Sequence, residues 1–384
     1  MRIRGRFYKT QLNGRKGSDK RDRLVWIGDM QPEVLAITDL FGGHPLAEKA
    51  IEESVEKNPL PCWFGNIPTY SAWLMQIVGD YYVKTGNTAF FKKYVPYIGG
   101  VLKQLDGVVE ENGDIDYSRI PVDARNGFFL DWPSNGAPDA KEGNRAVFIV
   151  ALRSYMRACK EANVTPDPLC EKVLDKLKNA CEENVGLKQI VALSYLAGRI
   201  DKKTAAEKLG KGGAKGLSTF MSYFILKALA ECSGEENALD VMKDYYGGML
   251  DRGATSFWED FNIEWLDGSG RIDEFTPDGL KDLHGDHGAF CYKGFRHSLC
   301  HGWSCGPVQF LVENILGIEV LSAGCKKIAI NPKLGNLDFA NGKFPTPYGV
   351  VSVEARRENG KMVAVISAPE EIEVISRYGT VSKY

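Results

Sequence analysis

Two short stretches, "IVALSYLAG" at residues 190–198 and "MSYFILKALA" at residues 221–230, decide how this chain is organised. Each has helical composition but carries apolar side chains on more than one flank. A helix that is apolar all round has no face to offer water, so it must lie inside a layered assembly. Other segments, such as "PLAEKAIEESVEKN" (45–58) and "EENALDVMKDYYGGML" (235–250), keep one apolar stripe opposite a charged face. That is the pattern of an outer layer. Working outward, "PEVLAITDLFGG" (32–43) has proline near its start and glycine at its end, which punctuates a helix at both limits. Segments of this kind recur about eleven times between residues 31 and 316, alternating buried and exposed, and a twelfth is expected at the N-terminus. "SLCHGWSCGPVQFLVENILG" (298–317) reads as the last of them. Six inner helices inside six outer ones fit this count.

The pattern changes near residue 317. "KKIAINP" (326–332), "GVVSVEARRENGKMVAVIS" (349–367) and "EIEVIS" (371–376) show β-branched alternation, and Asn359-Gly360 is a strong hairpin turn. The expectation is a helical domain over 1–316 and a small antiparallel β-sandwich over 317–384, packed on the helical body because it is too small to be very stable alone.

Composition narrows the function classes. The 384 residues carry a net charge of −2, which offers no broad attraction to nucleic acid or anionic membrane. No run of about 18 apolar residues reads as a membrane span, and the first thirty residues lack the apolar core of a secretory signal. The nine cysteines include no CxxC pair, which favours free thiols, a reducing compartment and a cytoplasmic location. "MRIRGRFYKTQLNGRKGSDKRDR" (1–23) has no helix start signal, so an upstream region is expected to be missing. Nothing indicates the oligomeric state.

Chemistry-bearing residues collect outside the helices. "KRDRLVWIGDM" (20–30) packs Asp22 and Asp29 around Trp26, with Arg21 and Arg23 bracketing the first aspartate. The long, weakly periodic segments 108–142 and 251–297 are functional candidates on length alone. The first holds Asp131 and Trp132, the second Trp258, Glu259 and Asp260. "HGDHGAFCYKGFRHSLCHGW" (284–303) supplies His284, His287, His297 and His301. Taken singly, the tryptophans read as core and the charged residues as surface ion pairs. The His297-x3-His301 spacing could place two zinc ligands on one helix face, but no HExxH or Cys/His quartet accompanies it, and the expectation is no metal and no cofactor. Taken together, tryptophans beside carboxylates are how proteins hold sugars: indole packs on C–H faces while carboxylates accept hydroxyl hydrogen bonds. Hydrolysis of a glycosidic bond needs two carboxyl groups, one acting as acid and the other as base or nucleophile.

The run from Asp22 to Asp29 resembles the RLxWxGD signature of bacterial α-L-rhamnosidases, glycoside hydrolase family 78. The resemblance continues in order through Asp131-Trp132, "GATSFWEDF" (253–261), "SLCHGWSCGPVQFL" (298–311) and "PTPYGVVSVEARRENGKMV" (345–363). It implies an (α/α)6 toroid followed by a β-sandwich and an inverting hydrolase releasing terminal α-L-rhamnose, with Asp22 as general acid and Glu259 as general base. The implied sugar contacts are Arg21, Trp26, Asp29, Asp131, Trp132, Trp258 and His301, with Trp63 or Trp73 as a further wall. Many members carry glutamate where Asp22 stands, and aspartate about five residues earlier, at Gly17; Asp19 is the nearest substitute. The competing readings are a toroid glycosidase for another deoxy or uronic sugar, a sugar-binding fragment that does not turn over, and a metal-dependent hydrolase built on the histidines.

Overall fold

The computed structural model describes residues 25–120, 129–181, 184–290, 292–378 and 380–384. Among the described residues, eleven α-helices precede the first strand. They are α1 (Met30–Phe41), α2 (Pro45–Glu56), α3 (Pro68–Thr85), α4 (Thr88–Val108), α5 (Ala140–Glu161) and α6 (Leu169–Asn179). There follow α7 (Lys188–Leu196), α8 (Lys202–Gly210), α9 (Ser222–Ser233), α10 (Glu235–Asp251) and α11, whose α-turns at Gly306–Phe310 run into a π-turn at Leu311–Ile315. Local chemistry sets their limits. Pro68 starts α3, where its missing N–H is no loss, and Gly86 closes it at φ 71°, its N–H returning to the Tyr82 carbonyl.

The odd-numbered helices form the inner layer. Each packs on the next, from α1 through α3, α5, α7 and α9 to α11, and α11 returns to α1, so the ring is closed. Nearly every residue of α3 is buried, whereas α2 buries only Ala47, Ile51 and Ser54. Five outer helices, the even-numbered ones, are seen among the described residues. Very short turns, such as 42–44, 86–87 and 234, lead from the C-terminus of an inner helix to the next outer one. All six inner N-termini therefore face the same mouth of the ring, and the long segments 109–139 and 252–305 both arrive there.

At the opposite mouth, buried charge ties the ring together. Lys84 on α3 pairs with Asp39 on α1 and, at 3.2 Å, with Glu313 on α11, which also accepts the Tyr223 hydroxyl from α9 at 2.5 Å. With both carboxylates against it, the ammonium is held well above its usual pKa range despite its burial.

Two expectations are corrected. The last helix starts at Gly306 rather than near 298: Pro307 belongs in a first turn, and the preceding "SLCHGWSC" is irregular chain with a short 3-10 turn at Gly302–Ser304. His297 and His301 consequently share no helix face. The β region forms two small sheets, β1–β2–β6 and β3–β4–β5–β7, from strands β1 (Ile318–Val320), β2 (Lys327–Ile330), β3 (Phe339–Thr346), β4 (Gly349–Glu358), β5 (Lys361–Ala368), β6 (Glu373–Ile375) and β7 (Thr380–Lys383). The pairs β1/β2, β3/β4 and β4/β5 are antiparallel as expected, but β2/β6 and β5/β7 are parallel. A parallel pair needs a crossover, and the chain supplies one by leaving β5 for β6 in the other sheet before returning to β7. β3 packs on α1, and the thiol of Cys325 donates to the Lys84 carbonyl. The Gly86 turn approaches Gly324 so closely that a Cβ there would lie 2.9 Å from its Cα.

Candidate active site

The site is built on one carboxylate from early in the helical region and one from late in it. Asp29 stands just before α1 without a side-chain bond to the helix, and its Oδ1 accepts the Tyr70 hydroxyl at 2.8 Å. Tyr70, in the first turn of α3, is buried and lies flat on Gly28, where a Cβ would come within 2.3 Å of its ring. The glycine of the "WIGD" motif thus gives room to the tyrosine that aims Asp29.

Glu259 arrives from the segment between α10 and α11. Its main chain is pinned on three sides: its N–H donates to the Ser298 carbonyl at 2.8 Å, and its carbonyl accepts Thr219 Oγ1 at 2.8 Å and Trp303 Nε1 at 2.7 Å. The Ser298 N–H donates to Oε2 at 2.7 Å, while Oε1 lies 3.4 Å from His301 Nε2. His301 Nε2 is also 3.9 Å from Asp29 Oδ2. The Trp303 N–H donates to His301 Nδ1 at 3.3 Å, which places the remaining ring proton on Nε2, facing both carboxylates. Burial pushes the His301 pKa down to about 3, helped by neighbouring His297, so the imidazole is a neutral donor near pH 7. Residues 29, 259 and 301 therefore meet.

The other expected contacts divide. Trp132 is half-buried, edge-on to Phe129 and Tyr292. Asp131, one residue earlier, is fully buried: Oδ1 accepts the Ser134 N–H at 2.9 Å and Gln189 Nε2 at 3.2 Å, and burial raises its pKa. Trp26 packs edge-on to Tyr70 and over Gly65, and lines a cavity of about 280 Å³ with Glu53 and Lys57 on the α2 side of the mouth. Trp258 has no exposed surface and packs on Phe261 and His297, so it offers no face to a sugar. Trp73 is equally enclosed against Phe224, and Trp63 is buried. Asp22 and Arg21, with Arg23, Gly17 and Asp19, lie outside the described residues.

Sequence reading missed Tyr70 and Trp303. A tyrosine in an apolar helix looks like core, and only its proximity to "WIGD" in space marks it. The histidines have separate tasks. His284 Nε2 meets the His297 carbonyl at 2.8 Å, while His287 stacks on Trp265 and meets Ser269 Oγ at 2.9 Å. No group of three or more His, Cys, Asp or Glu among the described residues is arranged to hold a metal ion. The eight described cysteines are free, and no described helix is long and apolar enough to cross a membrane.

Residues 317–375 match the family model of the bacterial alpha-L-rhamnosidase C-terminal domain. Over 94% of its length the chain superposes on the family 78 rhamnosidase of Bacillus sp. GL1, with a TM-score of 0.72 and 22% identity. The fold is that of the α-L-rhamnosidases. The Streptomyces avermitilis α-L-rhamnosidase, solved with L-rhamnose, matches over 92% of this chain with a TM-score of 0.71 and 14% identity. The Klebsiella oxytoca rhamnosidase, solved with rhamnose bound, matches over 77% with a TM-score of 0.59 and 19% identity. This chain spans only 40%, 35% and 59% of those three rhamnosidases. No curated protein sequence matches the chain.

Proposed function

We propose that the chain is an inverting glycoside hydrolase that releases terminal α-L-rhamnose, with its helical catalytic domain ending at residue 316 and its β domain occupying 317–384. The convergence of Glu259, His301 and Asp29 at one mouth of a rhamnosidase fold carries this reading. Glu259 is the base. A base must accept, and both of its neighbours are donors: the Ser298 N–H on Oε2 and His301 Nε2–H toward Oε1. A water held at Glu259 loses its proton there as it attacks the anomeric carbon. Asp29, oriented by Tyr70, accepts sugar hydroxyls. Asp22, seven residues before Asp29 in sequence, is assigned the acid that protonates the leaving oxygen. Neither proton transfer calls on a metal or an organic cofactor.

The test is proton NMR of the first sugar released from an α-L-rhamnoside. Early appearance of the β-anomer supports inversion at this pair. Early α-anomer, or a Glu259→Gln variant that retains turnover, assigns the chemistry elsewhere.

A further inference from the structure

The mouth opposite Glu259 carries a cavity of about 420 Å³, where the ends of α1 and α3 meet the β domain. Its volume lies within the range of roughly 300–1,000 Å³ usual for small-molecule sites. Helix α3 links the two mouths. At a rise of about 1.5 Å per residue, Tyr81 stands about 16 Å beyond Tyr70 along the helix, so the two ends serve separate spaces.

Tyr81 repeats for Glu48 what Tyr70 does for Asp29. It is buried, and its hydroxyl accepts the His44 backbone N–H at 3.1 Å and donates to Glu48 Oε1 at 2.8 Å. Asn87 Nδ2 donates to the same oxygen at 2.8 Å, while its Oδ1 accepts the Phe90 N–H in the first turn of α4. Both donors share Oε1, and among the described residues no donor reaches Oε2. The carboxylate is thus held in one orientation with an oxygen left to accept. The walls supply apolar surface. Phe41, the last residue of α1, is 46% exposed, and Pro345 and Pro347 line the cavity from the β domain. A Cβ at Gly42 would stand 3.6 Å from Pro345 Cβ, so the β domain closes directly over the end of α1.

An aromatic ring beside an oriented carboxylate suits a sugar, which offers a C–H face to the one and hydroxyls to the other. Anions are disfavoured. The Glu48 carboxylate repels them, and the Lys84 ammonium, also at the cavity, is committed to Asp39 and Glu313. We propose that this cavity is a second, non-catalytic sugar site, which takes a neutral pyranose with one C–H face on Phe41 and its hydroxyls on Glu48 Oε2. The site lies at the far mouth from the proposed base, so it holds carbohydrate without turning it over. It does not depend on the rhamnoside reading of the other mouth.

Methyl NMR of the full chain, labelled with carbon-13 at the threonine methyls, reads the two mouths separately. Thr85 and Thr346 line the cavity, whereas Thr219 donates to the Glu259 carbonyl. The probes are free L-rhamnose, D-glucose and D-galactose, with D-glucuronate as the anionic control. At least one neutral sugar should shift the Thr85 and Thr346 signals saturably, and glucuronate should not. Phe41→Ala and Glu48→Gln should each raise the half-saturating concentration at these signals about tenfold, the factor to which one aromatic contact or one hydrogen bond to a charged group amounts. The Thr219 response should be unchanged in both variants, and Phe41→Tyr should retain binding. No shift at Thr85 and Thr346 with any neutral sugar, an equal response to glucuronate, wild-type affinity in either variant, or a matching loss at Thr219 overturns the proposal. A response at Thr85 and Thr346 while Thr219 stays silent with L-rhamnose supports this site and counts against the rhamnoside reading alone.

Discussion

Glu33 provides a quantitative test of how the first inner helix meets the last. It lies one turn beyond Asp29 on α1, 5% exposed, and its Oε1 sits so close to Gly302 that a Cβ there would be 2.1 Å away. Burial alone raises its pKa from about 4.5 to about 8. Below pH 4.5 the carboxyl is protonated in both the folded and unfolded chains and adds no pH dependence. As pH climbs from 4.5 towards 8, the unfolded chain releases a proton that the folded one keeps, so stability falls by about 1.4 kcal/mol per pH unit. By pH 7 the loss is about 3 kcal/mol. Glu33→Gln keeps the shape and removes the titration. Its stability relative to wild type should therefore rise by about 2.5 kcal/mol between pH 5 and pH 7, read from urea midpoints at the two pH values. A difference between the two proteins that stays constant with pH would refute the reasoning, whichever protein is the more stable.

Three further outcomes follow from the geometry around the carboxylates. Gly28→Ala drives a methyl into the Tyr70 ring; a loss of about 1–3 kcal/mol is expected, measurable by thermal denaturation, together with reduced rhamnoside turnover because Asp29 loses its orienting partner. Tyr70→Phe removes only the hydroxyl on Asp29; kcat/KM should fall about tenfold, the effect of a hydrogen bond to a charged group, with an unchanged fold by circular dichroism. His301, with its pKa lowered to about 3, favours the folded state fully above pH 6.5 and loses that contribution as pH falls from 6.5 towards 3. His301→Gln should flatten the acid limb of the stability curve over that interval, and an unaltered limb would mean that another group titrates there.

The ring was legible because its cause is local. Apolar residues on every flank of 190–198 and 221–230 can only be buried, and single stripes such as that of 45–58 mark an outer helix. The alternation of the two gives the concentric layers without any knowledge of contacts. The start of α11 was less visible, since apolar spacing continues back into "SLCHGWSC" and only Pro307 signals the true first turn. Asp29, Glu259 and His301 stood out as charged or titratable residues inside aromatic motifs. Trp258 belonged to the same motif but faces the core, and a sequence does not say which of two neighbours in an irregular segment turns inward. Tyr70 was hidden because it resembles an ordinary core aromatic.

Closure of the ring also sets an order of events during folding. Hairpins such as α3–α4 and α9–α10 join neighbours a few residues apart and can form as soon as they leave the ribosome. The seam between α1 and α11 is different: the Cys305 thiol donates to the Pro32 carbonyl across 273 residues. Because Asp29 precedes that seam and Glu259 and His301 lie close to its far side, the proposed reacting centre comes into being only when the seam shuts. Catalytic activity during refolding should therefore lag behind helix content, and a protease cut between early and late hairpins should silence the protein while leaving most of its helices intact.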